Sequence, residues 1–419
     1  MEKKRNLTDI IISCVLGGSL EWYSFAIYGF LATIMGANFF PSGDAFQQSI
    51  ASLGAFAAGL LSRPIGALLF GYISSAVDQK TSFSISVYLM AISTFLIGVL
   101  PTYDDLGGLA TVLLIILRVL QGLSLGGGFT GTMVFLYEHS PEGKKNTYTI
   151  WSSFCMIFGF ILCTVAAALL SSLFSPDALK TYAWRIPFLI SILGIIAANY
   201  INNKLNAAKQ ETQNTPKKST RGIFRELFVD NWKTFVTVML IDSLTGCGFF
   251  IIAIFFSTYF STVMHMDQQT VAISQMIAMS VFAGAVMFAG RLADIFGGKR
   301  MMMAACITLA FTAYPAFMLA KTYGVIGAIA CQVLIILVFS SYHGALPVAI
   351  CKSFSDRIRP IGVASSHNLA MAIFGAYSPS LAAQLIKSTG DIASPGYLLA
   401  GAAIITILGL YFFIEKMHH

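Results

Sequence analysis

The sequence predicts an all-α polytopic membrane protein, with twelve transmembrane helices forming two pseudo-symmetric six-helix bundles. Three observations predict it. Of 419 residues, 56% are hydrophobic and only 11% are Asp, Glu, Lys or Arg, whereas soluble domains carry about 25% charged residues. Apolar runs of about 20 residues, enough for a helix to cross a bilayer, recur along the chain and give a mean hydropathy of +0.76. A single long hydrophilic stretch, Lys204 to Lys233, divides those runs six and six.

In chain order the runs cover residues 8–37, 46–76, 82–101, 108–136, 148–174 and 184–203, then 234–262, 269–292, 301–320, 324–350, 361–386 and 397–414. This sets the expected organisation as a first bundle over 1–203, a linker over 204–233 and a second bundle over 234–419. The start, Met1 to Asn6, is short and basic like that of a signal peptide. The apolar run behind it continues through Glu21 without a small-residue cleavage site, so it is read as a retained span. All seven cysteines lie within or at the end of apolar runs and none forms a CxxC pair, so they read as small hydrophobes.

Charge distribution gives the expected topology. With the N-terminus inside, the inner side holds twenty of the 26 Lys and Arg residues, and the outer side holds only Lys180, Arg185, Lys321 and Lys387. Such an excess marks the cytoplasmic face. Both termini and the 204–233 stretch, with Thr215-Pro216-Lys217-Lys218-Ser219 at its middle, are therefore expected in the cytoplasm. The net charge of +7 thus reads as a topology signal, with no nucleic-acid partner implied. Only Arg63 and Arg118 fall within the membrane.

The halves repeat. Gly290-Arg291-Leu292-Ala293-Asp294-Ile295-Phe296-Gly297-Gly298-Lys299-Arg300 joins spans eight and nine, and Gly71-Tyr72-Ile73-Ser74-Ser75-Ala76-Val77-Asp78-Gln79-Lys80 joins spans two and three about half a chain earlier. Parallel six-helix halves are a known transporter architecture.

A carboxylate lies near the middle of the first run, in Gly17-Gly18-Ser19-Leu20-Glu21-Trp22-Tyr23-Ser24-Phe25-Ala26-Ile27-Tyr28-Gly29. A charge at the centre of a membrane helix costs roughly 2.5–3.5 kcal/mol on insertion scales, so Glu21 is a functional-site candidate by default. Glu21, Ser24, Phe25 and Tyr28 follow i, i+3, i+4, i+7 spacing and share a helix face, as do Arg118 and Gln121 in span four. An arginine cannot be neutralised and needs a partner or water in the membrane. Glu21 is the expected partner, in a contact that breaks and re-forms during transport or in a static buried ion pair. Arg118 is also fitted to grip a substrate carboxylate bidentately.

In the second half, Asp242 is the only acid well inside a span, near its inner end, where it either serves substrate or proton or is solvated. His343 lies midway along span ten, and His367 with Asn368 two turns into span eleven; histidine titrates near neutral pH but also packs as a neutral core residue. Arg63, beside Pro64, is expected to snorkel to the surface or to pair with an acid. No metal-ligand spacing, catalytic triad or GxxxxGK[ST] phosphate loop occurs, so the sequence points to no enzyme, no cofactor and no direct use of ATP.

The loop pattern of glycine, an acid four residues on, then glycine and a basic pair resembles the signature of the major facilitator superfamily. The chain is more closely similar to its metabolite–proton symporter branch, which includes proline/betaine, 2-oxoglutarate, citrate and shikimate carriers. The resemblance rests on Glu21-Trp22-Tyr23-Ser24-Phe25, Arg63-Pro64-Ile65-Gly66, Arg118-Val119-Leu120-Gln121-Gly122, Tyr137-Glu138-His139-Ser140-Pro141-Glu142-Gly143-Lys144-Lys145, Trp184-Arg185-Ile186-Pro187-Phe188, Arg357-Ile358-Arg359, Asn368 and Ala372-Ile373-Phe374-Gly375. Departures are equally specific. Ser24 and Ser75 replace acids, Gly128 and Lys352 stand where glutamates are usual, and Asp78 replaces a glycine.

The resemblance implies that Arg118 faces the first span. It also implies a gate built from the signature loops (Arg63, Ser75, Gly290, Asp294, Gly297, Arg300), with Asp294 meeting a helix N-terminus and a loop arginine. The start of span eleven, after Pro360, is the expected recipient, and Ser75 without a charge implies a weaker lock in the first half. The implied function is import of a small polar metabolite, an organic-acid anion or zwitterion, by proton-coupled symport in a bacterial inner membrane. Lys352 and the lost acids tilt the substrate towards an anion. A small molecule, protons and the lipid bilayer are the expected partners of a monomer. The alternatives are an uncoupled facilitator or exporter, and a non-transporting sensor on the same scaffold.

Overall fold

The structure, a computed structural model, describes residues 7–41, 45–196, 199 and 222–416. They form two compact units, Met1–Leu136 with Cys155–Thr220 and Tyr137–Phe154 with Arg221–His419. Most of the expected linker, residues 204–221, lies outside the described residues. The rest of it is not loop: Ile223–Arg225 and Glu226–Asp230 are helical, their apolar Ile223 and Leu227 buried. Arg357 ties this segment down through Glu226 at 2.8 Å.

In the first unit the first span is Leu7–Phe30, interrupted at Leu31 and continued by Ala32–Phe39. The second is Ala45–Ala76, the third Gln79–Val99 and the fourth Gly108–His139, whose last residues belong to the second unit. Asp78, the departure noted above, accepts the Thr81 N–H at 2.7 Å and caps the third span. At its other end Arg185 donates to the carbonyls of Gly98 and Leu100, which the helix leaves unpaired. The fifth span is Trp151–Leu173, and the sixth runs within Leu179–Ile196.

The second and fourth spans meet backbone to backbone. A β-carbon at Gly122 would overlap the Gly59 carbonyl and the Ser62 hydroxyl, one at Gly66 the Leu123 backbone, and one at Gly126 the Arg63 carbonyl. Small residues are what allow such approach between membrane helices. Gly122→Val is therefore expected to cost more than the roughly 1–3 kcal/mol of ordinary overpacking, because rigid backbone has to move. Size-exclusion of detergent extracts should show its monodisperse peak lost, while Gly54→Val, whose β-carbon meets nothing within 4 Å, keeps it.

In the second unit the seventh span starts as Trp232–Phe250 and loosens into wide turns at Ile251–Phe255 and Tyr259–Val263. Wide turns free backbone carbonyls. Gln275 of the eighth span (Gln268–Phe296) donates to those of Ile252 and Ala253 at 2.8 and 3.1 Å, and Gln332 donates to Gln275 at 2.9 Å. Eleven described helices are long and apolar enough to cross a membrane, one of them 55 residues long, Gly298–Lys352. That one holds two spans: Gly324, at φ 58° and ψ −135°, breaks it. The eleventh span is Arg359–Ala370 continued through Met371–Gly375 to Ser378–Thr389, and the twelfth is Pro395–Lys416.

Candidate functional site

Within the first unit, Glu21, Ser24, Phe25 and Tyr28 are all buried, at 2% exposure or less. They do not act as one cluster. Arg118 lies level with Phe25 and Tyr28, its guanidinium 4.6, 4.4 and 5.0 Å from the ring centres of Phe25, Tyr28 and Phe56. Its Nη1 donates to Gln121 Oε1 at 2.5 Å and to the Phe25 carbonyl at 3.4 Å, while Nε and Nη2 meet no protein acceptor. Gln121 is held in turn by Thr94, at 2.6 Å. Tyr28 is oriented by Ser52, hydroxyl to hydroxyl at 3.1 Å.

Glu21 faces a different stretch of the fourth span. Its Oε1 lies 3.5 Å from the Ser124 hydroxyl, and a β-carbon at Gly128 would coincide with both carboxyl oxygens. The expected Glu21–Arg118 ion pair is therefore not formed. The two spans run antiparallel, and the ten residues from Arg118 to Gly128 cover about 15 Å of helix, beyond the reach of one glutamate. Among the described residues Glu21 makes no ion pair, and its Oε2 has no protein hydrogen-bond partner. A gap too narrow for water separates Glu21 and Ser24 from Met90 and Gly194. Gly128, where the resemblance would put a glutamate, is the space that Glu21 fills; two acids there would collide.

Arg63 is 2% exposed and lies over the Trp22 ring at 5.5 Å, so it does not snorkel. Lys352, in contrast, is exposed at the end of Leu346–Lys352 and belongs to no buried cluster, which removes its weight in favour of an anion.

In the second unit Asp242 is fully buried rather than solvated, and its Oδ2 lies 2.6 Å from His367 Nδ1. Asp242 Oδ1 meets no protein partner. His343 stacks on Phe339 at 5.4 Å, with neither ring nitrogen bonded to protein. Asn368 turns back onto its own helix, donating to the Ala364 carbonyl at 2.8 Å.

Of the loop residues, Asp294 does meet a helix N-terminus, but that of Lys145–Thr149 just before span five, not span eleven. It accepts the N–H groups of Asn146 and Thr147 at 2.9 and 2.8 Å, together with the Asn146 amide and the Thr147 hydroxyl. No arginine pairs with it among the described residues, and Arg300 is exposed. Unpaired N–H groups and roughly half a positive charge make a helix start a ready acceptor for a carboxylate. Gly290 lets the segment approach, since its β-carbon would lie 2.9 Å from Ile150, and Gly297 ends the eighth span at φ 90°. This contact explains why Tyr137–Phe154, within the first half in chain order, packs into the second unit. Ser75 only donates to Gly71 of its own helix. Asp294→Ala removes four bonds to a carboxylate, each of the charge-assisted kind worth about 1.5–3 kcal/mol. A cysteine placed at Thr147 is then expected to label at least tenfold faster with an aqueous maleimide than in the parent.

Sequence reasoning missed Phe56, Ser124, Thr94, Tyr342, Asn146 and Thr147. Ser124 was findable, three residues beyond Gln121 and on its face; the others lie on separate spans or, for Asn146 and Thr147, on the short helix before span five.

A sequence profile of the Major Facilitator Superfamily matches residues 14–376. The glycine betaine/proline/ectoine/pipecolic acid transporter OusA of Dickeya dadantii is 31% identical over 421 residues, 97% of this chain and 83% of that protein. The proline/betaine transporter of Escherichia coli K12 is 30% identical over 417 residues, covering 96% and 82%. The citrate-proton symporter of Klebsiella pneumoniae is 29% identical over 408, covering 97% and 91%. Among solved structures, the proton:xylose symporter XylE bound to 6-bromo-6-deoxy-D-glucose superposes with a TM-score of 0.78 at 17% identity, covering 98% of this chain and 95% of that one. A profile match over most of the chain, relatives that align with nearly all of it and the twelve-span fold agree. This is a multi-pass membrane transporter, not an enzyme, and it belongs to the Major Facilitator Superfamily.

Proposed function

We propose that the protein imports a small carboxylate-bearing metabolite, an organic acid or a zwitterion, by proton-coupled symport across a bacterial inner membrane, with both termini in the cytoplasm. The observation that carries the substrate class is Arg118. It is a buried guanidinium held by three aromatic rings with two nitrogens left without protein acceptors. A carboxylate satisfies two parallel N–H groups at once. Relatives named for proline and betaine and for citrate fit that chemistry, since each of those compounds carries a carboxylate.

Proton coupling is assigned to Glu21. An ionised carboxyl there would be a buried charge without a counter-charge, which is costly. Ser124 has one proton to give, and its shorter contact, 2.5 Å, gives it to the Ser86 carbonyl. The lone pairs it turns towards Glu21 suit a protonated acid that donates. A Glu21 proton taken up when the site is open to one side and released when it is open to the other couples the gradient to the cycle. Substrate identity and direction are tested together by uptake and counterflow in proteoliposomes, with radiolabelled citrate, proline and glycine betaine, with and without an inward proton gradient. Gradient-stimulated accumulation of one of them is expected. Counterflow unaffected by the gradient would make the protein a facilitator, and binding without flux a sensor.

A further inference from the structure

We propose that the helical segment ahead of the seventh span is an interfacial anchor, with Phe224, Phe228, Val229 and Trp232 immersed at the boundary between lipid headgroups and acyl chains. Its partner is the bilayer surface itself. The topology proposed above makes this the inner leaflet; nothing else in the proposal depends on the transport reading.

The segment has two apolar sides with different fates. Ile223 and Leu227 are buried against the second unit, whereas Phe224, Phe228, Val229 and Trp232 are between 40% and 60% exposed. Exposed apolar side chains are ordinary along a membrane span, but Phe224, Phe228 and Val229 precede the span. A contiguous apolar patch there is costly in water and marks a membrane or protein contact. Three contacts then hold the patch at the membrane surface. Only Asn231, at φ −116° and ψ 21°, separates Asp230 from Trp232, the first residue of the seventh span. Phe228 meets Phe235 of that span edge-on, with ring centres 5.2 Å apart. Arg357, just before the eleventh span, holds Glu226 at 2.8 Å. The exposed apolar surface accordingly continues onto the span itself at Val236. This continuity with a membrane-spanning helix is what selects lipid as the occupant. The residue types agree, since tryptophan collects at the headgroup level and interfacial helices pair an apolar side with basic residues. Arg225 and Lys233 are exposed on the same segment, and Lys233 Nζ lies 6.0 Å from the Trp232 ring centre. Both are suited to lipid phosphates. Of the two acids, Glu226 is already neutralised by Arg357, and Asp230 is exposed. The net charge is therefore small, and the apolar side chains supply the attraction.

Depth-dependent fluorescence quenching in phosphatidylcholine proteoliposomes tests this on the full chain. A single NBD fluorophore is attached at Val229→Cys, which reports the segment, or at Glu142→Cys, whose parent side chain is 89% exposed and reports water. The seven native cysteines are buried, and the unsubstituted protein taken through the same labelling supplies the background. With nitroxide lipids labelled at two acyl positions, the Val229→Cys fluorophore is expected roughly 5–10 Å below the headgroup surface. Aqueous iodide should quench it far less than the Glu142→Cys fluorophore. Adding Phe224→Ser and Trp232→Ser to Val229→Cys, with size-exclusion as the check on folding, should move the fluorophore towards the surface and raise its iodide quenching. Iodide quenching of Val229→Cys equal to that of Glu142→Cys, with none from lipid nitroxides, overturns the proposal. Shielding from both quenchers overturns it as well, since protein then covers this side. An unchanged depth in the folded triple variant removes the anchoring role from Phe224 and Trp232 and so overturns the anchor as drawn. Should that variant not fold, the depth at Val229→Cys decides alone. No readout requires flux, so a failure of the symport reading leaves this test standing.

Discussion

Replacing Glu21 by Gln is expected to lower gradient-driven accumulation about tenfold for each pH unit of inward gradient, while counterflow continues. Glutamine reproduces the neutral acid in size and can donate to Ser124 from the position of Oε1, 3.5 Å away. It cannot release a proton. Binding and reorientation, which counterflow reads, therefore survive, and only the work drawn from the gradient falls. The pocket formed by Gly128 accepts the amide because it already accepts both carboxyl oxygens. Accumulation equal to the parent's at every imposed gradient would remove Glu21 from the coupling mechanism.

Arg118→Lys is expected to raise the KM for the accumulated substrate between tenfold and a hundredfold, with the folded fraction preserved. Lysine keeps the charge but presents a point donor where arginine presents a planar fork. It also forfeits the three-sided contact with Phe25, Tyr28 and Phe56 that holds the guanidinium in place. If Arg118 served only to brace the first, second and fourth spans, Arg118→Lys would change stability and leave KM where it was. Initial rates across a substrate series, with size-exclusion of the same preparations, separate the two outcomes.

How far the site could be read from the chain differs residue by residue. That Glu21, Ser24, Phe25 and Tyr28 share a face followed from spacing, because a helix sets which side chains share a face whatever it packs against. The Arg118 partner did not follow. Which residue of the fourth span meets which residue of the first depends on their axial register, and Gly128, whose β-carbon would overlap the Glu21 carboxyl, marks where the two meet. The same limit explains Asp294. A carboxylate after a membrane helix seeks a helix N-terminus, but the one it meets is that of Lys145–Thr149 and not the expected start of span eleven. Asp242 was placed near solvent by its distance from the end of its run, yet it is fully buried because His367 reaches it from 125 residues away.

The amino-acid sequence by itself determined the fold class, the twelve spans and which polar residues of the first and fourth spans share a face. Those properties come from hydrophobic length and a 3.6-residue period, both local quantities. Only the tertiary structure decided that Arg118 is caged by rings instead of paired to Glu21, that Glu21 fills the space of Gly128, and that Asp242 is joined to His367. Each of these depends on how far one helix slides along another. Side chains there are packed at contact distance, and the register of two helices is settled jointly by all the residues between them.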